Sequence, residues 1–325
     1  MSKIKVAVLF GGMSTEHSVS VVSGTSVLQK LKKEKYEVIP IYVSKEGEWY
    51  YYTKPVCEIT VLPIEEEITE IQKIENVFDV LKQVDVIFPV LHGLYGEDGT
   101  IQGMLEMLKK PYVGCHVFAS NVCMDKAYAK VIFEKANIPQ APYLYFRKRS
   151  GNYYSVGEDF TEELVNSKQM QEKVTQKLGY PVFIKPANSG SSVGIKKAHN
   201  SEELIQFIDY AAQYDTKILV EQNIEGREVE CAVLGNGEAK ASCVGEILPA
   251  EEFYTFDAKY KNAQSRTMIP ADLPEKTAKE IQEYATKAFR AVDGSGLSRV
   301  DFFVEKKTGK VILNEINTMP GFTRN

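Results

Sequence analysis

The sequence predicts an α/β protein that opens with a parallel-sheet domain and continues as a more strand-rich α+β region. Two observations carry the first half of this reading. Apolar runs end in glycine-rich loops at Gly11-Gly12 and at His92–Gly99, and a helical stretch follows each loop. That β-loop-α rhythm belongs to an open parallel sheet, in which ligands gather at the carboxyl ends of the strands. A third observation carries the second half: around residues 115–145 the rhythm breaks, and strand-like segments dominate up to a closing hairpin.

Taken in order, Ile4 to Phe10 reads as a strand. The next stretch is helical, with Val21, Gly24, Val27, Leu28 and Leu31 on one face. Tyr36 to Val43 and Val84 to Leu91 are strands, and Ile101 to Leu108 is a helix. Met124 to Ala136 reads as one helix, residues 138–142 as an extended linker and 147–160 as a polar loop. Tyr180 to Lys185, Lys217 to Gln222 and Val229 to Leu234 are strands. Residues 249–270 lack periodicity and are rich in aromatic and basic side chains, which predicts a long functional loop. Glu275 to Val292 is the clearest helix, with Ala278, Ile281, Ala285, Ala288 and Val292 at 3,4,3,4 spacing. Leu297–Glu305 and Lys310–Asn317 form the closing hairpin.

The bulk properties exclude several classes. A net charge of -5 from 39 basic and 44 acidic residues leaves no electrostatic footprint for nucleic acid or an anionic membrane. No apolar run approaches the ~18 residues needed to cross a bilayer, and the N-terminus lacks the pattern of a signal peptide. The five cysteines are odd in number and lack a C-x-x-C pair, as expected of reduced thiols in a cytoplasmic protein.

The closing hairpin carries the sharpest chemistry. Side chains alternate along a strand, so Val300, Phe302 and Val304, with Ile312 and Ile316 opposite, form an apolar face. Arg299, Asp301, Glu315 and Asn317 share the other face. With the turn centred on Thr308, Asp301 lies opposite Glu315 and Arg299 opposite Asn317. Facing carboxylates repel, and a divalent cation reverses that sign. An oxygen-only donor set suits Mg²⁺ that takes the rest of its shell from water and phosphate. The alternative is an ordinary solvated sheet face.

The loop Lys185–Gly194 follows a strand and presents small residues, including Ser191 and Ser192, whose N–H and hydroxyl groups can cradle phosphate. It is not a P-loop, because G-x-x-x-x-G-K-[ST] is absent. Lys185 at the end of a buried strand needs an anionic partner. Lys126, taken alone, reads as a surface lysine. Glu221, at the end of a strand, suits a ribose or adenine donor, or is simply a surface edge, and Glu228 lies seven residues on. Glu16 suits an ammonium, or the first turn of a helix. His92 orients a substrate or is a satisfied core histidine.

These segments, in this order, resemble the D-alanine–D-alanine ligase family of the ATP-grasp superfamily. The resemblance runs through Phe10–Glu16, Pro89–Gly93, Gly96–Gly103, Met124–Lys126, Ile184–Pro186, Gly190–Gly194, Ala258–Tyr260, Ile269–Ala271, Ser298–Phe302 and Asn314–Gly321. It implies a Rossmann-like N-terminal substrate domain over residues 1–122, then a two-part ATP-grasp fold, with a central subdomain over 123–210 and a C-terminal one over 211–325. It further implies ATP and two Mg²⁺ (or Mn²⁺) ions as cofactors, D-alanine as substrate, and a homodimer. Glu16 would bind the amino group of the first D-alanine, with His92 nearby. Lys126, Lys185, Ser192, Lys259 and Asn314 would contact the nucleotide, and Glu221 and Glu228 its adenosine. Ser191 and Tyr260 would form a hydrogen-bonded link with Glu16. Asp301, Glu315 and Asn317 would hold the metals, while Arg299 and the Gly321 N–H would stabilise the tetrahedral oxyanion.

Two departures stand out. Phe256 stands where the family often has tyrosine. The family pattern also continues beyond Asn325 with a serine-bearing segment for the second substrate's carboxylate and a closing helix. The alternatives are ligation of D-alanine to D-serine or D-lactate, a nicotinamide-dependent dehydrogenase, and a non-catalytic nucleotide-binding protein. The missing G-x-G-x-x-G disfavours the dehydrogenase.

Overall fold

The computed structural model describes residues 2–56, 58–59, 62, 68–190, 193–248 and 266–322. They form three sheets, each of consecutive strands in the chain.

The first sheet holds β1 (Ile4–Gly11), β2 (Tyr36–Val43), β3 (Trp49–Tyr52), β4 (Ile71–Lys73) and β5 (Val86–Pro89), in the order β4-β3-β2-β1-β5. The strands β2, β1 and β5 are parallel, as the loop-helix rhythm requires. The pair β3–β4 adds an antiparallel edge that the sequence did not predict. Helices α1 (His17–Lys30), α2 (Val77–Lys82) and α3 (Thr100–Met107) accompany this sheet. Where α1 crosses β1, only glycine fits: a Cβ on Gly24 would lie 2.7 Å from the Phe10 Cβ.

Helices α4 (Val117–Met124) and α5 (Lys126–Lys135) follow, where the sequence predicted a single helix. Asp125 separates them. Its extended backbone ends α4, and its carboxylate accepts from the N–H groups of Ala127 and Tyr128 to cap α5. The Asp-Lys pair in Met124–Lys126 is thus an N-cap followed by the first helical residue.

The second sheet is antiparallel, in the order β10-β9-β11-β6-β7-β8. It comprises β6 (Tyr143–Arg149), β7 (Asn152–Val156), β8 (Glu162–Val165), β9 (Val182–Pro186), β10 (Lys196–Ala198) and β11 (Lys217–Gln222), with α6 (Ser167–Lys177) and α7 (Ser201–Ala211). The stretch 147–160, expected as loop, is mostly the β6–β7 hairpin. Tyr153 packs against the core of this sheet, while the hairpin's charges pair at the rim. The strand β11 pairs with β6 and β9, so it belongs to the central unit rather than beyond a boundary at 210/211.

The third sheet runs β14-β13-β12-β15-β16, from β12 (Gly226–Gly235), β13 (Lys240–Leu248), β14 (Arg266–Met268), β15 (Gly296–Glu305) and β16 (Val311–Asn317). It packs on α8 (Glu275–Ala291), whose Ile281, Ala285, Ala288 and Phe289 are buried as their spacing predicts. The helices α4 and α5 share that core through Ala119, Val122, Ala129 and Phe133. They therefore pack with the C-terminal sheet, although the expected boundary at 122/123 splits them. A fully buried phenylalanine such as Phe289 contributes about 2–3 kcal/mol.

The closing hairpin keeps the predicted register at its functional end, with Arg299 opposite Asn317 and Asp301 opposite Glu315. A bulge then shifts the ladder, leaving Asn314 as the extra residue before Phe302 meets Leu313. The shift reverses parity on β16. Val311 and Leu313, rather than Ile312, join Val300, Phe302 and Val304 in the core cluster.

Among the described residues Cys115, Cys123 and Cys231 are buried free thiols and Cys243 is an exposed one. No described helix is long and apolar enough to cross a membrane.

Candidate active site

A cleft of about 980 Å³ is lined by residues of all three sheets and their loops. On its floor, adjacent strands carry carboxylates at one level: Glu230 on β12 pairs with Asp301 on β15, which pairs with Glu315 on β16. Sequence reasoning found two of the three. Glu230 has the outward parity of Glu228 on β12, with Val229, Cys231 and Val233 turned inward, and that signal was there to be used.

Arg299 offsets this charge row. Its Nε and Nη2 donate to the two Asp301 oxygens at 2.7 Å each, and Nε lies 3.3 Å from Glu230. The amide of Asn317 donates to Asp301 at 2.9 Å. Arg299 is desolvated, which opposes its charge, yet the surrounding carboxylates raise its pKa well above the usual guanidinium value. From the facing wall, Lys126 donates to the Ser189 carbonyl at 2.7 Å and lies 3.8 Å from Glu315. It is a cleft residue tying the glycine-rich loop to the carboxylate row, not a surface lysine.

The donor set fits a hard divalent cation. Carboxylate and amide oxygens from Asp301, Glu315 and Asn317 share one face, and their like charges favour a cation between them. Among the described residues no three His, Cys, Asp or Glu side chains converge as a preformed cage. Two carboxylates and one amide are the kind of partial shell that phosphate oxygens complete.

Lys185, at the end of β9, donates to Glu221 on the neighbouring β11 at 2.7 Å. A second lysine, Lys130 on α5, lies 3.4 Å from the other Glu221 oxygen and 5.1 Å over the Tyr143 ring. The sequence did not single out Lys130, because one lysine in an ordinary helical pattern carries no signal. Burial opposes ionisation of Glu221, but the two ammonium groups win and hold its carboxyl at about 2. Burial pulls the Lys130 pKa down, with Glu221 opposing. The cluster holds two cations and one anion in a dry wall, a surplus of positive charge that suits an anionic ligand. Glu228, Asn314 and the Gly321 backbone also line this cleft.

Glu16 sits at the start of α1 and is buried. Ser14 donates to the His92 carbonyl at 2.6 Å and accepts from the Glu16 N–H at 3.1 Å, which sets the loop. A Cβ on Gly190 would stand 2.5 Å from Glu16 Oε2, and one on Gly93 would collide with the same atom. Both glycine-rich loops therefore close on this carboxylate because they lack side chains. Glu97, to which no role was assigned, also lines the cleft and accepts from the Gly93 N–H at 2.7 Å. Burial and the neighbouring Glu16 push its carboxyl up to about 8.

His92 lies behind the cleft wall, 4% exposed. Its Nε2 is 2.9 Å from Ser23 Oγ, and its ring also hydrogen-bonds the Met319 backbone. Burial lowers its pKa to about 4, so the imidazole is neutral. Ser191, Ser192, Phe256, Lys259 and Tyr260 lie outside the described residues.

Opposed lysines and carboxylates in a cleft between two antiparallel sheets, beside a parallel-sheet domain, are the parts of an ATP-grasp ligase. Residues 5–115 match the family described as D-ala D-ala ligase N-terminus, and residues 132–325 match D-ala D-ala ligase C-terminus. The chain is 49% identical to the D-alanine–D-alanine ligase of Acetivibrio thermocellus, over 99% of this chain and 89% of that protein. It is likewise 49% identical to that of Clostridium acetobutylicum, over 99% and 90%. Among solved structures it resembles the VanG D-Ala:D-Ser ligase from Enterococcus faecalis, with a TM-score of 0.82, 36% identity and coverage of 99% and 92%. The D-alanine–D-alanine ligase from Coxiella burnetii gives a TM-score of 0.80 and 33% identity, covering 100% and 87%. The chain belongs to the D-alanine–D-alanine ligase family.

Proposed function

We propose that the protein uses ATP to join two D-alanine molecules into D-alanyl-D-alanine, a peptidoglycan precursor, in the cytoplasm. The carboxylate of the first D-alanine attacks the γ-phosphorus of ATP. The bond to the bridging oxygen breaks, and ADP leaves an acyl phosphate. The neutral amine of the second D-alanine then attacks the acyl carbon, the nitrogen gives up a proton to the departing phosphate, and hydrogen phosphate leaves the tetrahedral intermediate.

The observation that carries this reading is the row of Glu230, Asp301 and Glu315 offset by Arg299 within it and by Lys126 from the opposite wall, with Lys185 and Glu16 lining the same cleft. Glu16 pairs with the first substrate's ammonium and so presents its carboxylate to the phosphate. Lys126 and Lys185 bind phosphate oxygens; Glu221 keeps Lys185 charged until nucleotide enters. Glu221 and Glu228 take the adenosine end. Arg299 and the Gly321 N–H receive the oxyanion of the tetrahedral intermediate, a contact stronger in the transition state than in the ground state. Asp301, Glu315 and Asn317 would hold Mg²⁺ or Mn²⁺, which when bound would supply charge neutralisation for phosphoryl transfer. Positioning of this kind supplies most of the rate in phosphoryl transfer. An acyl phosphate hydrolyses readily, so excluding water fits the chemistry; of the long loop expected over 249–270, residues 249–265 lie outside the described residues and Arg266–Met268 form β14.

The similarity to a D-Ala:D-Ser ligase favours one second reading, D-serine as the second substrate. Phosphate release and product mass are measured with ATP and D-alanine alone, then with D-serine or D-lactate added. D-alanyl-D-alanine from D-alanine alone supports the proposal. No phosphate release with any combination overturns it, and product only with D-serine selects the second reading.

A further inference from the structure

Ser23 lies in the middle of α1, fully buried. A buried helical serine ordinarily returns its hydroxyl to a carbonyl one turn back, as Ser26 does to Val22 in the same helix. Ser23 Oγ instead meets two partners far away in the chain. The Phe322 N–H donates to it at 3.0 Å, and His92 Nε2 lies 2.9 Å away. The other ring contact of His92 goes to the Met319 backbone. The segment from Met319 to Phe322 is thus gripped at its first residue by His92 and at its last by Ser23. Between them lies Gly321, on the cleft wall.

The hydrogen-bond roles follow from donor accounting. Ser23 Oγ accepts from Phe322, which leaves its own proton to give. A neutral imidazole has one donor and one acceptor nitrogen. With Nε2 accepting from Ser23, the N–H must be on Nδ1 and point to the Met319 carbonyl. The order is then Phe322 N–H to Ser23 Oγ, Ser23 O–H to His92 Nε2, and His92 Nδ1–H to Met319 O. Every member is satisfied, and no other assignment satisfies all of them. The backbone of His92 also accepts from Ser14, which holds the Glu16 N–H. One residue therefore ties the Glu16 loop to the Gly321 turn.

We infer that Ser23 is a positioning residue for the reaction: through His92 it clamps both ends of the 319–322 turn and so fixes where the Gly321 N–H points. This rests on the proposed ligase reading, in which that N–H receives the oxyanion. Ser23 touches no reacting atom. Its loss would free the turn and spare the nucleotide end, which is built from β9, β11 and α5.

Two measurements test the inference. In the wild-type protein labelled with ¹⁵N-histidine, His92 should be the neutral Nδ1–H tautomer down to pH 5. The Nε2–H tautomer would overturn the clamp whatever the activity. Second, Ser23→Ala should lower kcat by about tenfold to a hundredfold, leave the KM for ATP within about twofold, and alter the His92 ¹⁵N shifts. Ser26→Ala, on the same helix with only a local bond, should change neither. Wild-type turnover in Ser23→Ala overturns the inference. So does a lower Tm with unchanged His92 shifts and equal changes in every kinetic constant, which marks a purely structural residue. If the unaltered protein releases no phosphate, the ligase reading fails, and the tautomer of His92 still decides the clamp. If Ser23→Ala does not fold, the wild-type tautomer decides it alone.

Discussion

Lys130→Met tests how the nucleotide wall is held together. Glu221 is held at about 2, against an ordinary 4.5, by Lys130 and Lys185 acting against its own burial. A tenfold change in acidity is worth about 1.4 kcal/mol, so about 3 kcal/mol is what remains of the two lysines' attraction after the burial penalty. Lys185 is nearer, at 2.7 Å against 3.4 Å, yet the charge of Lys130 weighs at least as much on the carboxyl. Methionine keeps the stem of Lys130 packed and removes only the charge. The expected loss is then about 1–1.5 kcal/mol at pH 7, below the 3–5 kcal/mol of a stranded buried ion, because Lys185 remains. The sign with pH follows from the depressed carboxyl. Its stabilisation is present above the unfolded value and disappears as pH falls through the folded one, so the difference between the two proteins fades only below about pH 3. Urea unfolding at pH 7 measures the loss, and ¹³C titration of the Glu221 carboxyl between pH 2 and 5 measures its cause, with an expected rise. An unchanged urea midpoint refutes the reasoning. A loss of stability with the carboxyl still at about 2 refutes it equally, since the cause would then be packing around Tyr143.

Three further outcomes are expected. Asp301→Asn removes one carboxylate from the floor and half of the Arg299 fork, and should lower phosphate release by about a hundredfold or more; turnover near wild type at all Mg²⁺ concentrations would contradict the metal assignment. Glu97→Gln keeps an acceptor for the Gly93 N–H and removes a carboxyl that burial and Glu16 raise to about 8. A raised carboxyl costs stability as pH climbs from about 4.5 to 8, so thermal unfolding of this variant should fall less over that range than wild type. Gly24→Ala gains up to about 1 kcal/mol of helix propensity but puts a Cβ 2.7 Å from that of Phe10; overpacking at about 1–3 kcal/mol should win, giving a lower Tm.

What was legible in the sequence was whatever a strict period or a short motif encodes. The helix α8 was predicted to within a residue because its apolar spacing is regular. The face shared by Arg299, Asp301, Glu315 and Asn317 was legible because strand parity has a period of two. The same rule failed four residues away, at Ile312, because the bulge at Asn314 adds one residue and reverses the faces. Nothing local in Val311–Asn317 announces that extra residue. Lys130 and Glu230 were missed for a related reason. Each becomes special only through a partner on another element, Glu221 in one case and Arg299 in the other. The β6–β7 hairpin was read as loop because its arginines and lysines looked solvated, whereas they pair with Glu162 and Asp209 along the sheet rim.

The grip on residues 319–322 bears on the order in which the protein can be completed during synthesis. Phe322 stacks edge-on against Phe88 with ring centroids 5.6 Å apart and joins the partly buried apolar groups around the first core. Its amide partner, Ser23, lies 299 positions earlier in the chain. Domains are generally built as units while the ribosome is still extending the chain, and the strands of the first sheet emerge long before residue 322. Until then Phe88 lacks its cover and the Ser23–His92 pair lacks the turn it binds. The first sheet of a nascent chain is therefore a surface in waiting, finished by a segment that reaches 299 residues beyond Ser23.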